Sequence, residues 1–111
     1  MRAWTVEEAN EALDWVRECL TQIRSAQTSR AQTRSNGQAS SAAPLRRAME
    51  RLMSEGIVLR DPARGLIDFP AVAADGRQYW LCWLEGEPEV GFWHWPDEGF
   101  PGRKPLSTPP V

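Results

Sequence analysis

His94 is the only histidine in the chain, so acid–base or metal chemistry centred on an imidazole must pass through it. Joined to carboxylates such as Asp68, Glu87, Asp97 or Glu98, it would form the oxygen-rich donor set of an iron or manganese site. A metal ion is the one cofactor the residue types suggest, with His94, Glu87 and Glu98 as ligand candidates. No His-x-x-x-His or Cys-x-x-Cys spacing accompanies them, and the opposing reading is a sheet histidine between Trp93 and Trp95, hydrogen-bonded to a neighbour. Cys82 and His94 would suit a nucleophile and its base. Cys82, however, sits in the apolar run Trp80-Leu-Cys-Trp83, which fits a buried, inert thiol.

Asp68 interrupts the strand-like run Gly65-Leu-Ile-Asp-Phe-Pro70 where an apolar residue is expected. A buried carboxylate needs a partner, and Arg60, Arg77 and Arg103 are available. Gly99-Phe-Pro-Gly-Arg103 offers free amides and a guanidinium to an anion. It lacks the strand–loop–helix context of a phosphate loop, so it reads better as an arm with Phe100 plugged into a sheet. Tyr79, Trp80, Trp83, Trp93 and Trp95 form either an aromatic pocket for a flat or cationic ligand or a core. Asp68, Tyr79, Trp83, His94 and Arg103 are the ligand-binding candidates.

The elements that must position these side chains change period along the chain. Thr5-Val-Glu-Glu8 is a capping box, followed by Val6, Ala9, Leu13, Val16, Leu20 and Ile23 at spacings of three and four. That seam predicts a helix over 5–27 packed against another helix. Residues 28–42 are polar around Asn36-Gly37 and read as a fraying helical extension or a flexible connection. A second helix is expected over 44–55, opened by Pro44 and stopped by Gly56.

From Ile57 the pattern is that of strands, at 57–60, 66–73, 77–84 and 89–95, separated by turn residues. The fold class is therefore α+β, a helical hairpin on a four-stranded antiparallel meander. One domain spans 1–106, and 107–111 is a loose tail.

With Asp75-Gly76 as a two-residue loop and 85–88 as a four-residue one, Cys82 pairs with Phe69 and Gly91. One face then carries Phe69, Trp80, Cys82, Leu84, Trp93 and Trp95. The other carries Asp68, Val72, Tyr79, Leu81, Trp83, Phe92 and His94. Cys82 and His94 would lie on opposite faces, with Asp68 and His94 roughly 13 Å apart along the strands. Both faces are apolar, and two helices cover one. The second implies a partner, most simply another copy of the chain in a homodimer. A one-residue slip would exchange these assignments.

Several pieces in order, Gly65-Leu-Ile-Asp-Phe-Pro70, Leu81-Cys-Trp83, Gly86-Glu87, Trp93-His94, Gly99-Phe100 and Gly102-Arg103, resemble the uncharacterised bacterial family called domain of unknown function 2203. The opening Thr5-Val-Glu-Glu-Ala-Asn10 is similar to the family's start. The resemblance implies a fold and no activity.

Composition bounds the rest. The chain has 111 residues, 41% hydrophobic and 25% charged, with a net charge of −2, as in a soluble globular protein. Residues 24–51 carry six arginines against one glutamate, but no aromatic lies among them to stack a base. Nucleic acid is a weak partner for Arg24–Arg51. No apolar run suits a membrane span, the start lacks the apolar core of a signal peptide, and two distant cysteines suit the cytoplasm.

The leading functional expectation is a dimeric, non-enzymatic interaction or small-ligand-binding module using the aromatic sheet face, with a small molecule or a protein as partner. The alternative is a small metalloprotein or enzyme centred on His94 with Asp68, Glu87 or Glu98.

Overall fold

The computed structural model describes residues 2–110 apart from 34–42, and of residues 27–33 the backbone alone. Helix formation starts where the first free amides find acceptors. Thr5 Oγ1 accepts the Glu8 N–H at 3.1 Å, and Glu8 Oε1 accepts the Thr5 N–H at 3.0 Å, closing the expected capping box. Thr5→Ala is expected to cost about 1 kcal/mol, read as a lower urea midpoint at unchanged m-value.

Helix α1 runs Val6–Thr33, beyond the expected end at 27. The readings made for 34–42, including the Asn36-Gly37 break, lie outside the described residues. The seam residues Ala9, Leu13, Val16, Leu20 and Ile23 are all buried. Removing each of the larger ones from water contributes roughly 1.5–3 kcal/mol.

Helix α2, Ala43–Ser54, packs along α1. It ends as the sequence predicts, with Gly56 at φ +74°. The Gly56 N–H donates to the Met53 carbonyl at 3.0 Å and the Ile57 N–H to the Leu52 carbonyl at 2.9 Å. This paired arrangement needs a left-handed residue at Gly56. It also turns Ile57 into the core beside Leu52.

Five strands follow: β1 Val58–Asp61, β2 Leu66–Val72, β3 Gln78–Leu84, β4 Phe92–His94 and β5 Lys104–Pro105. Their spatial order equals their chain order, and each pairing is antiparallel. The four-stranded expectation is corrected by one. After a 3-10 turn at Phe100–Gly102, Lys104 pairs with Trp93 and Pro105 with Phe92. This short edge is held by the Leu106 N–H on the Gly91 carbonyl at 3.0 Å. Beyond it, the Trp93 indole donates to the Thr108 carbonyl at 2.6 Å.

The strand register differs from the expected one in both hairpins. Cys82 pairs with Asp68 and with Phe92, rather than with Phe69 and Gly91. In the first hairpin the loop has three residues, not two. The Ala73 N–H reaches the Arg77 carbonyl at 2.8 Å, the Gly76 N–H returns to the Ala73 carbonyl at 2.9 Å, and Gly76 sits at φ +88°. This is the turn-plus-left-handed-residue loop that an Asp-Gly pair can equally serve.

In the second hairpin the register opposes Leu84 and Val90, leaving five loop residues. Glu87 Oε1 accepts the Leu84 N–H at 2.7 Å and Asn10 Oδ1 accepts the Val90 N–H at 2.7 Å. Side chains thus replace strand partners there, and the loop grows by one.

Each slip moves alternate residues to the other side of the sheet. Ile67, Phe69, Ala71, Leu81, Trp83 and Trp93 are buried with the α1 seam in one core. The outer face, away from the helices, carries Leu66, Asp68, Pro70, Val72, Gln78, Trp80, Cys82, Leu84, Phe92 and His94. Around Asp68, Cys82, Phe92 and His94 that face is covered by the chain itself, while Val72 at its far end is exposed. The Arg60 guanidinium lies 4.9 Å from the Trp80 ring centre, and Arg103 lies 4.0 Å from Phe92 and 4.6 Å from Phe100.

Candidate functional site on the outer face of the sheet

Three adjacent strands bring Asp68, Cys82 and His94 together on the outer face. Asp68 on β2 stands opposite Cys82 on β3, and His94 on β4 lies one pair along from Cys82, opposite Trp80. The separation of Asp68 from His94 and the opposite-face placement of Cys82 are therefore corrected. His94 Nε2 lies 2.9 Å from Asp68 Oδ2, and donor atoms of Asp68, Cys82 and His94 all lie within 4.8 Å of one another. Asp68 and His94 are 2% and 3% exposed, so water supplies little of what they need.

The hydrogen bonds fix their states. His94 Nδ1 meets the Trp95 carbonyl at 2.8 Å while Nε2 meets the Asp68 carboxylate. Both ring nitrogens face acceptors, an arrangement that an imidazolium satisfies with both of its N–H groups. Burial pushes the His94 pKa down, but the hydrogen bonds that His94 donates to Asp68 and to the Trp95 carbonyl outweigh it, and the net shift is upward. Burial likewise acts to raise the Asp68 pKa, and His94 with Arg60 reverses it to a net lowering.

Arg60 Nε donates to Asp68 Oδ2 at 2.9 Å. Arg60 occupies a bulge between Leu59 and Asp61, and such an extra residue re-aims a side chain. Asp68 Oδ2 is thus shared by two donors. Oδ1 has no partner among the described residues.

Above these groups is a cleft of about 240 Å³, walled by Arg60, Leu66, Pro96, Gly99 and Phe100, with Asp68, Cys82 and His94 at its floor. Behind Cys82, Arg103 forms a two-pronged ion pair with Glu87 at 3.0 and 2.9 Å. Its guanidinium is 3.9 Å from Cys82 Sγ. The thiol is pushed up to about 12, first by burial and then by the Asp68 charge. A cysteine–histidine–aspartate relay would place Cys82 and Asp68 on opposite ring nitrogens. Here Asp68 occupies one and a backbone carbonyl the other, so His94 does not serve Cys82 as a base.

A family model described as an uncharacterized conserved protein, DUF2203, matches residues 30–106. The chain belongs to the DUF2203 family. A search of curated proteins and a search of solved structures found no match. In this DUF2203 chain the matched span contains the cleft and all the residues that line it.

Of the residues expected to bind a ligand, Asp68 and His94 come together, and Arg103 joins them through Cys82. Tyr79 and Trp83 lie on the helix side of the sheet, where Tyr79 meets Trp93 and Trp95 edge-on at 5.7 and 6.4 Å. Of the expected metal ligands, only His94 is in the cluster. Glu87 is held by Arg103. Glu98 accepts the Trp95 N–H at 3.1 Å and pairs with Lys104 at 2.5 Å.

Leu66, Cys82, Pro96 and Phe100 are the cleft residues that sequence reasoning left outside a site. The one available signal was the Ala74-Asp-Gly76 run, which serves a three-residue loop and so returns Cys82 to the face of Asp68.

Proposed function

We propose that this DUF2203 protein is a small-ligand-binding module, and that its ligand sits in the cleft over Asp68, Cys82 and His94. The supporting observation is Asp68 Oδ1, a buried carboxylate oxygen lining the cleft with no partner among the described residues. An unsatisfied buried acceptor costs about 1–3 kcal/mol or more when charged, and a ligand presenting a hydrogen-bond donor or a positive charge removes that cost. The site is this cleft rather than the aromatic helix-side face.

The cleft reading does not need a homodimer. The argument for one was an outer face in need of cover, and residues 96–103 with Arg60 and Arg64 supply that cover around the cleft. A cytoplasmic setting accords with Cys19 and Cys82, both free thiols. No helix among the described residues is long and apolar enough to cross a membrane.

Titration with benzamide, phenol and guanidinium, followed by amide NMR, tests the cleft. Shifts confined to Arg60, Leu66, Asp68, Cys82, His94 and Gly99, and abolished by Asp68→Asn, are expected. If neither these probes nor a metal ion shifts those amides, the reading falls.

A further inference from the structure

The donor atoms at the floor of the cleft narrow the class of ligand. A carboxylate oxygen, a thiol sulfur and an imidazole nitrogen, all buried and mutually within 4.8 Å, are a mixed set. Magnesium and calcium take oxygen donors, whereas oxygen, nitrogen and sulfur together select a borderline-soft transition ion.

Each donor is also oriented by a second contact. The Nδ1–H of His94 on the Trp95 carbonyl at 2.8 Å turns Nε2 toward the cluster, as a backbone carbonyl does behind a metal-ligating histidine. Arg60 holds Asp68 through Oδ2 and leaves Oδ1 for a ligand. Arg103 lies beside Cys82 Sγ at 3.9 Å and holds the sulfur in place, while deprotonation of the thiol is left to the arriving ion.

Resting on the ligand-cleft reading, we infer that Asp68 Oδ1, Cys82 Sγ and His94 Nε2 hold one divalent cation of the zinc class, with its fourth position open to the cleft. Binding forms three bonds from the ion to these atoms and releases the Sγ and Nε2 protons to solvent. The contacts of Arg60 with Oδ2 and of Nδ1–H with Trp95 remain.

The charges permit it. Arg103 is neutralised by Glu87, and Arg60 offsets one of the two negative charges of Asp68 and the Cys82 thiolate, so a divalent ion enters a site of net negative charge. Tetrahedral zinc spaces such donors roughly 3.3–3.6 Å apart. From the 4.8 Å limit the widest pair closes by at most roughly 1.2–1.5 Å, a side-chain adjustment. Three protein ligands and an open position are the pattern of a reactive rather than a purely structural zinc site.

Chelator-stripped protein is titrated with zinc chloride, with magnesium chloride as control, and then loaded with cobalt(II). One zinc per chain retained through gel filtration is expected, with a higher Tm and no response to magnesium. The cobalt(II) protein should show thiolate-to-cobalt charge-transfer absorption. Cys82→Ser should abolish that absorption, Cys19→Ser should leave it, and His94→Gln, checked for an intact fold by circular dichroism, should abolish stoichiometric zinc.

Absence of zinc retention, a cobalt spectrum without the thiolate band, or loss of that band in Cys19→Ser instead of Cys82→Ser overturns the assignment. If zinc fails while benzamide, phenol or guanidinium still shifts the cleft amides, the metal assignment alone falls. If all of them fail, the ligand-cleft reading falls with it.

Discussion

Asp68→Ala is expected to lower the stability of the metal-free protein by about 3–5 kcal/mol, because it removes the acceptor that two donors share among the described residues. His94 Nε2 and Arg60 Nε both depend on Asp68 Oδ2 at 2.9 Å, and His94 is 3% exposed. Its charge would then have to be carried without compensation or given up. Urea unfolding of wild type and variant measures the difference. A loss under 1 kcal/mol would mean that the pair is not formed as described. Asp68→Leu combined with His94→Leu should cost less than the sum of the two single changes, since apolar groups replace both partners.

The same pair sets a pH dependence with a definite sign. The pKa of His94 is raised above its ordinary 6.5, so its contribution is complete below that value and is lost as pH rises through the folded pKa. The pKa of Asp68 is lowered below its ordinary 3.8, so its contribution is complete above that value and is lost as pH falls through the folded pKa. Arg60 and Cys82 face the pair, and Glu98 feels the His94 charge. The stability advantage of wild type over Asp68→Ala is therefore expected to be largest between about pH 4 and 6.5 and to shrink as pH rises beyond that window through the raised His94 pKa. An advantage that grows with pH over that range contradicts the imidazolium assignment.

Trp83→Ala carries the second large effect, about 3–5 kcal/mol. The ring is fully buried between the sheet and α1, and Nε1 donates to the Glu87 carbonyl at 3.0 Å. Truncation opens a cavity in the core and frees the loop that presents Glu87 to Arg103. Trp83→Phe keeps most of the packing and gives up the hydrogen bond, so it should cost about 1–3 kcal/mol, clearly less than alanine. Urea midpoints followed by circular dichroism separate the two. Equal losses would show that the indole hydrogen bond, not the ring volume, dominates. Against the 5–15 kcal/mol typical of a domain, the alanine change leaves a marginal fold.

Local chemistry explains which elements were legible. The capping box at Thr5 and Glu8, the α1 seam and the Gly56 stop each act within a few residues, so their types and spacings suffice. The change from helical to strand period after Ile57 is equally local, and it led to an α+β meander. The fifth strand was not legible, because Lys104-Pro105 is too short to show alternation. It exists through the Leu106 N–H on the Gly91 carbonyl and its pairing with β4.

Asp68 stood out in the sequence as a buried charge requiring a partner, and Arg60 was among the partners considered. His94 stood out as the only imidazole. Their meeting did not follow from either observation. Side-chain direction alternates every residue along a strand, so one residue more in each of two loops decides whether Asp68, Cys82 and His94 share a face. Asp75-Gly76 is compatible with both loop lengths. In the second hairpin, the longer loop is secured by Asn10 on Val90 and Glu87 on Leu84, and Asn10 belongs to a helix distant in sequence. Residue types along the chain determined that a charged aspartate and a lone histidine would need partners in a tryptophan-rich sheet. Tertiary contacts decided that they would find each other beside Cys82, because register depends on groups that no strand sees locally.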